Sequence, residues 1–394
     1  MSDDLSYSGV SILKVNNMNF HVAWIAFCII SASLIFGSKK IEIESGREIN
    51  IDGLRYLLAA FVAFHHNDAS FSFFKFGSWS RYTIELGYLG QFGVSVFFMI
   101  TGYLFGMIKK ETNWLSFFIK RFFRIVPLTY VSSLACVIIA SYIGITMGNK
   151  ADFKDIIYWL DGGLSGLKGP IYGYKDTYLI PAGVTWTLYW EWAFYFTLPL
   201  LSLFFNKKYT IGICIAFISI IAHSASFFKI PNPNTSLIIF FAIGILVRNL
   251  RGLVDLPRNL KNHLAAIFLI SCFFISSDHK AYNITSCIFI GVFFYLIASG
   301  ADLYGILKSR GFVVLGDASY SIYLLHGIAW YIMNKTAFHF GMQENYLFYY
   351  VIQTGTWFAI CFISLISYKY IERPFINYGR RVTSRLESTR ASDS

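Results

Sequence analysis

Apolar stretches of roughly 17–25 residues recur along the whole chain, separated by short polar segments. That is the length an α-helix needs to cross the hydrocarbon core of a bilayer. Eleven such runs stand out, near 20–37, 50–66, 88–108, 125–146, 185–205, 209–228, 234–249, 262–277, 282–300, 318–337 and 346–368. The pattern predicts an all-α, polytopic helical membrane protein with about 11 transmembrane helices. The first run lacks the basic leader of a signal peptide and is expected to stay as a helix. It forms an N-terminal unit over 1–49, followed by a membrane core over 50–375 and a polar, disordered tail over 376–394.

Composition agrees with this picture. Hydrophobic residues make up 56% of the chain and charged residues only 14%, against about 25% charged in soluble domains. The net charge of +11 would suit nucleic acid, but its distribution argues otherwise. The segments 38–49, 109–124, 206–208, 250–261, 301–317 and the tail from 369 carry, with Arg248, 22 of the 33 Lys and Arg; the opposite side carries 10. The positive-inside rule then puts the N-terminus outside and the C-terminus in the cytoplasm, with no nucleic-acid partner. The six cysteines all fall inside apolar runs without a CxxC pair or a Cys/His cluster. They read as small packing residues, so no disulfide framework and no metal are expected. The long loop 147–184, dense in Gly and Tyr, serves either as an interfacial anchor or as a platform for a sugar acceptor.

Polar residues inside apolar runs are costly and therefore informative. In LRYLLAAFVAFHH (54–66), Arg55 and His66 are eleven residues apart, so a helix puts them on one face, about 16 Å apart along the axis. His65 lies about 80° away from Arg55 around the helix. Arg55 alone would serve as a snorkelling anchor, and His66 alone as a hydrogen bond to a neighbouring helix. In IKRFFRIVPLTY, Arg121 and Arg124 share a face at the start of the fourth run, suited to phosphate or to simple anchoring. Pro127 reads as a first-turn proline. Glu191 sits in an aromatic helix, VTWTLYWEWAFYFTLP, where a carboxylate needs a partner or water. In LGDASYSIYLLHGIAW, Asp317 and Ser319 read as helix caps, and His326 falls at mid-depth. Ser95, Thr101 and Gly102 read as close-packing positions.

Together these stretches resemble the acyltransferase-3 family of integral-membrane acyltransferases. Arg55 and His66 match its R-x10-H pair. FFMITGYLF matches its FFxxSGYL stretch, with Thr101 in place of Ser. RFFRIVP, WTLYWEWAFY, GDASYSIYLLH and ERPF match further elements in the same order. The resemblance covers about 50–375. It implies transfer of an acyl group, often acetyl, from cytoplasmic acyl-CoA to a hydroxyl of an extracytoplasmic or lipid-linked glycan, such as lipopolysaccharide O-antigen or exopolysaccharide, in a bacterial plasma membrane. Two departures are the extra N-terminal helix and the lack of a fused soluble esterase-like domain.

On this reading His66, Arg55 and Glu191 are catalytic, with His66 as general base or acyl carrier and Glu191 orienting it. Arg121, Arg124, Tyr320 and His326 bind acyl-CoA, the co-substrate; no cofactor is permanently held. Membrane lipids are the surrounding partners, and the oligomeric state is open. A transporter or flippase of lipid-linked sugars would also need buried polar residues at mid-depth, but not an arginine pair at the cytoplasmic mouth. A non-catalytic scaffold would be indifferent to His66.

Overall fold

The computed structural model describes residues 5–37, 47–79, 84–150, 152–166, 168–205, 209–227, 234–275 and 281–392. Helices α1 (Leu5–Phe36), α2 (Ile49–Phe76), α3 (Ile84–Phe105) and α4 (Trp114–Thr146) are followed by a long connection carrying the short α5 (Phe153–Ile157) and a 3₁₀ turn, Lys175–Leu179. Then come α6 (Thr185–Leu201), α7 (Thr210–Phe227), α8 (Asn234–Leu250), α9 (Arg258–Ile275) and α10 (Ile284–Ala298). The last part holds α11 (Arg310–Asp317), α12 (Ser319–His339), α13 (Tyr346–Ser367), a π-helical turn Tyr368–Glu372, and α14 (Arg373–Ser392). Each of the eleven apolar runs coincides with one of these helices. The fold class is all-α.

Local chemistry sets the helix ends. Asn113, Asn283 and Asn345 each accept a bond from the backbone N–H three residues on, starting α4, α10 and α13. Gly77, at φ 67°, stops α2 in the left-handed region that glycine tolerates. Three expectations are corrected. Pro127 lies inside α4, because the Asn113 cap starts that helix more than three turns earlier. Asp317 does not cap α12: its carboxylate pairs with Arg47, and α12 starts without a side-chain cap after a 74° bend from α11. The tail, expected to be disordered, is helical as far as it is described, since α14 extends to Ser392. Its low hydropathy hid an aromatic face, on which Phe375 stacks on Phe123 of α4 at 6.4 Å and Tyr378 meets the same ring edge-on at 5.1 Å.

Three helical stretches are long and apolar enough to cross a membrane by themselves: Leu86–Phe105, Trp114–Thr146 and Tyr346–Thr389. The bent pair α11–α12 makes a fourth, and Phe20–Phe36, Thr210–Ser224, Asn234–Leu250 and Ile284–Ala298 are shorter apolar helices. On α4, Tyr130, Leu134, Ile138, Tyr142 and Ile145 form an exposed stripe at helical spacing. Water would penalise such a stripe and lipid would not, so the chain is an integral membrane protein with multiple apolar helices.

Helix α2 runs through the middle and packs on α3, α11 and α12. α3 and α8 lock together through reciprocal glycines. A Cβ on Gly102 would lie 2.1 Å from the Phe241 carbonyl oxygen, and one on Gly244 would lie 2.1 Å from that of Met99. Gly102→Val therefore separates two backbones and should cost at least the 1–3 kcal/mol typical of overpacking. Thermal unfolding in detergent checks this, with Gly212→Ala as control. Nothing lies within 4 Å of that Cβ, and alanine favours a helix, so the control should melt no lower than wild type.

α1 is fastened to α13 and α11. Trp24 Nε1 donates to Thr354 Oγ1 at 2.9 Å, Trp357 Nε1 donates to the Cys28 carbonyl at 3.1 Å, and Gly311 lets its backbone press on Ser33. All six cysteines are buried and free. Among the described residues no cluster of His, Cys, Asp and Glu could hold a metal.

Candidate active site

Two cavities meet inside the bundle. The larger, about 450 Å³, lies at the end where α2, α4 and α12 begin. Its lining includes six arginines (Arg47, Arg55, Arg121, Arg124, Arg373 and Arg380) against three carboxylates, Asp52, Glu191 and Asp317. Helical spacing explains how so few elements supply them. Arg121 and Arg124 are one turn apart on α4, and Arg373, Ile376, Asn377 and Arg380 form one stripe of α14.

The arginines differ in their partners. Arg47, just before α2, holds both Asp52, at 2.9 Å, and Asp317. Burial works against its charge, but these carboxylates more than offset that and hold it above the usual arginine value. Arg124 pairs with the buried Glu372 at 3.4 Å and lies over the Tyr320 ring at 5.7 Å. Glu372 also accepts a hydrogen bond from Ser321 Oγ. Arg121 sits among the rings of Phe105, Phe117 and Tyr195, 5.2–5.8 Å from their centroids, and its Nε is buried without a hydrogen-bond partner. Among the described residues no carboxylate lies within ion-pair distance of Arg55 or Arg121, although Asp52 acts on Arg55 from further off. Unpaired guanidinium groups in a cavity call for an anion, phosphate above all.

The smaller cavity, about 270 Å³, is lined by His65 and His66 of α2, by Trp79, Trp186 and Tyr282, and by Tyr178, Leu179, Ala182 and Gly183 from the end of the 147–184 connection. That connection is pinned in several places. Asp161 accepts from the backbone N–H of Gly163 and Ser165 and from Lys168. Burial would raise its carboxyl, but these bonds outweigh it and hold it below the usual range. Tyr174 shares a 2.7 Å bond with Tyr331 of α12. A Cβ on Gly327 would lie 2.3 Å from the Pro181 backbone, so this glycine lets the turn beside Ala182 press against α12.

His66 has a defined partner. Its Nδ1 lies 2.8 Å from His326 Nε2, and the two rings are parallel to within 6°. His326 Nδ1 lies 2.9 Å from the Ile322 carbonyl, which can only accept. With both rings neutral, His326 is therefore protonated on Nδ1 and accepts on Nε2 from His66 Nδ1–H. That leaves His66 Nε2 as the basic nitrogen. Backbone, His326 and His66 form a relay that fixes one tautomer.

The sequence-predicted residues divide between these places. Arg55, Arg121, Arg124, Glu191 and Tyr320 line the larger cavity, and His66 lines the smaller. His326 lines neither and is fully buried behind His66. Glu191 accepts from the Tyr195 hydroxyl, and the neighbour that orients His66 is His326. His65, expected off the His66 face, lines the same cavity, because the cavity is wide enough to take in positions 100° apart. Arg47, Glu372 and Arg380 were not singled out by sequence reasoning. Glu372 was visible only as part of ERPF, and nothing local marked the other two.

An integral membrane protein with an anion-ready cavity set against a histidine relay is built as a membrane-embedded transferase. The comparisons place it more closely. The acyltransferase 3 family model, described as an acyltransferase domain, matches residues 48–367. The chain belongs to this family and is an acyltransferase. It is similar to "Nodulation protein 10" of Rhizobium leguminosarum bv. viciae, 26% identical over 381 residues, covering 87% of this chain and 97% of that one. It is also similar to proteins of Staphylococcus aureus, strains COL and MSSA476, provisionally named O-acetyltransferases. These are 26% identical over 339 residues, covering 74% of this chain. The chain spans about half the length of those Staphylococcus relatives, 53%. No solved structure matches it.

Proposed function

We propose that the protein is an O-acetyltransferase, moving an acetyl group from cytoplasmic acetyl-CoA to a hydroxyl of an extracytoplasmic or lipid-linked glycan in a bacterial plasma membrane. Eleven spans, with the N-terminus outside and the C-terminus in the cytoplasm, put the arginine-lined cavity on the cytoplasmic side. The observation that carries the reading is the pair of arginines, Arg55 and Arg121, with no carboxylate at ion-pair distance among the described residues, in a cavity adjoining the His66 relay. Acyl-CoA supplies the phosphates those cations lack. The aromatic walls of the smaller cavity suit the C–H faces of a sugar.

In the reaction, the acceptor hydroxyl gives its proton to His66 Nε2 as its oxygen bonds to the thioester carbonyl carbon. The C–S bond then breaks, CoA leaves as thiolate, and the imidazolium returns the proton to sulfur. His326 does not touch substrate; it holds His66 in the productive tautomer. His326→Ala should lower turnover about 10- to 100-fold with little change in KM for acetyl-CoA. Initial rates across a range of acetyl-CoA concentrations check this.

The function itself is tested by mass spectrometry of surface glycans from cells with and without the gene. A glycan that gains one acetyl mass only with the intact protein supports the reading. Loss of glycan export with no change in mass would favour a transporter instead.

A further inference from the structure

Val94 of α3 and Tyr323 of α12 are the two residues that line both cavities among the described residues. We propose that they form the gate that limits the length of the transferred acyl group. The inference rests on the acyl-CoA reading above and names a specificity-determining pair within it.

The argument is spatial. The nucleotide end of the donor needs the cations of the larger cavity, whereas the base that activates the acceptor, His66, lines the smaller. The thioester carbonyl must therefore sit where the cavities meet, with sulfur on the arginine side. The tail of the acyl group then passes Val94 and Tyr323 into a space of about 270 Å³. The hydroxyl-bearing part of the acceptor occupies that same space. A short acyl group fits beside a sugar there, and a long one competes with it.

The gate is also stiff. Tyr323 is hydrogen-bonded to Thr187 Oγ1 at 2.8 Å, and its ring meets those of Phe97 and His326 edge-on, each at 6.0 Å. Val94 stands on the helix that the Gly102 and Gly244 contacts lock against α8. Neither wall can retreat cheaply, so the opening is set by side-chain size. One methyl-sized change should then be felt as a change in selectivity.

The test uses the full-length protein in inside-out vesicles that retain the cell's own glycan, with labelled acetyl-CoA or butanoyl-CoA, and counts label in the glycan fraction. Acetyl-CoA binding is measured in parallel. Val94→Ala should raise the butanoyl-to-acetyl rate ratio at least tenfold. Tyr323→Phe, which frees the ring from Thr187, should raise it several-fold. Val94→Phe should block transfer of both groups while acetyl-CoA still binds. Ratios within twofold of wild type, in Val94→Ala and Tyr323→Phe proteins that bind and transfer acetyl, would overturn the gate. Loss of acetyl-CoA binding by Val94→Ala would overturn it too, by showing that Val94 holds the donor rather than sizing its acyl group. Wild-type protein that neither binds nor uses acetyl-CoA would instead defeat the donor reading, and the gate with it.

Discussion

His66→Ala should abolish acetyl transfer, with a fall of at least 100-fold, while the protein still inserts and still binds acetyl-CoA. The magnitude follows from what the imidazole does. A sugar hydroxyl is a weak nucleophile until its proton has somewhere to go, and a positioned base supplies about 10²–10⁴ in rate. His66 Nε2 is fixed for that task by the 2.8 Å bond from its other nitrogen to His326. His66 is not among the groups surrounding the arginines, so donor affinity should survive its loss. Equilibrium binding of labelled acetyl-CoA, alongside the transfer assay, separates the two effects. A His66→Ala protein that acetylates at even a tenth of the wild-type rate would remove His66 from the chemistry.

The second large effect is expected at the arginine pair, and the two arginines should differ. Arg121 has no carboxylate partner among the described residues; aromatic rings surround it. Arg121→Ala should therefore act mainly on the donor. Loss of a charge-assisted hydrogen bond, about 1.5–3 kcal/mol, corresponds to a rise in KM for acetyl-CoA of roughly 10- to 150-fold. Arg124 carries a second duty, because it neutralises Glu372, which is 1% exposed. Arg124→Ala leaves that carboxylate buried without its ion-pair partner, a change of about 3–5 kcal/mol for a buried pair. It should lower both donor binding and thermal stability. Arg124→Ala combined with Glu372→Gln should recover much of the stability and none of the donor affinity. Melting curves and KM values for the three variants check this. Equal destabilisation by Arg121→Ala and Arg124→Ala would contradict the assignment.

Much of this architecture was legible in the residues. Long apolar runs force helices, because the bilayer leaves backbone groups no other partner, and each run coincides with a helix. The R-x10-H spacing announces one helical face, and Arg55 and His66 do line the two adjoining cavities. The small-residue reading of Gly102 was also sound, since it touches the Phe241 backbone.

What stayed hidden depends on long-range placement. His66 and His326 are 260 residues apart, and no local pattern pairs them. Asp317 looked like a cap because it precedes a helix, yet it serves Arg47, 270 residues away. The tail looked too polar to order, because its docking face is a sparse set of aromatic positions among many charges. That same helix brings Arg373 and Arg380 into the larger cavity, although it lies beyond the family match at 48–367. The cavities themselves are shapes, and a shape is not written in any single segment.

The most direct test of the central claim is transfer across a sealed membrane. Inside-out vesicles expose the cytoplasmic face, so, with the topology proposed above, labelled acetyl-CoA added outside can reach only the arginine-lined cavity. Wild-type vesicles should accumulate label on glycan in the lumen, and His66→Ala vesicles should accumulate none. Luminal labelling that is the same with His66→Ala, or labelling that appears only after the vesicles are opened, would contradict the account.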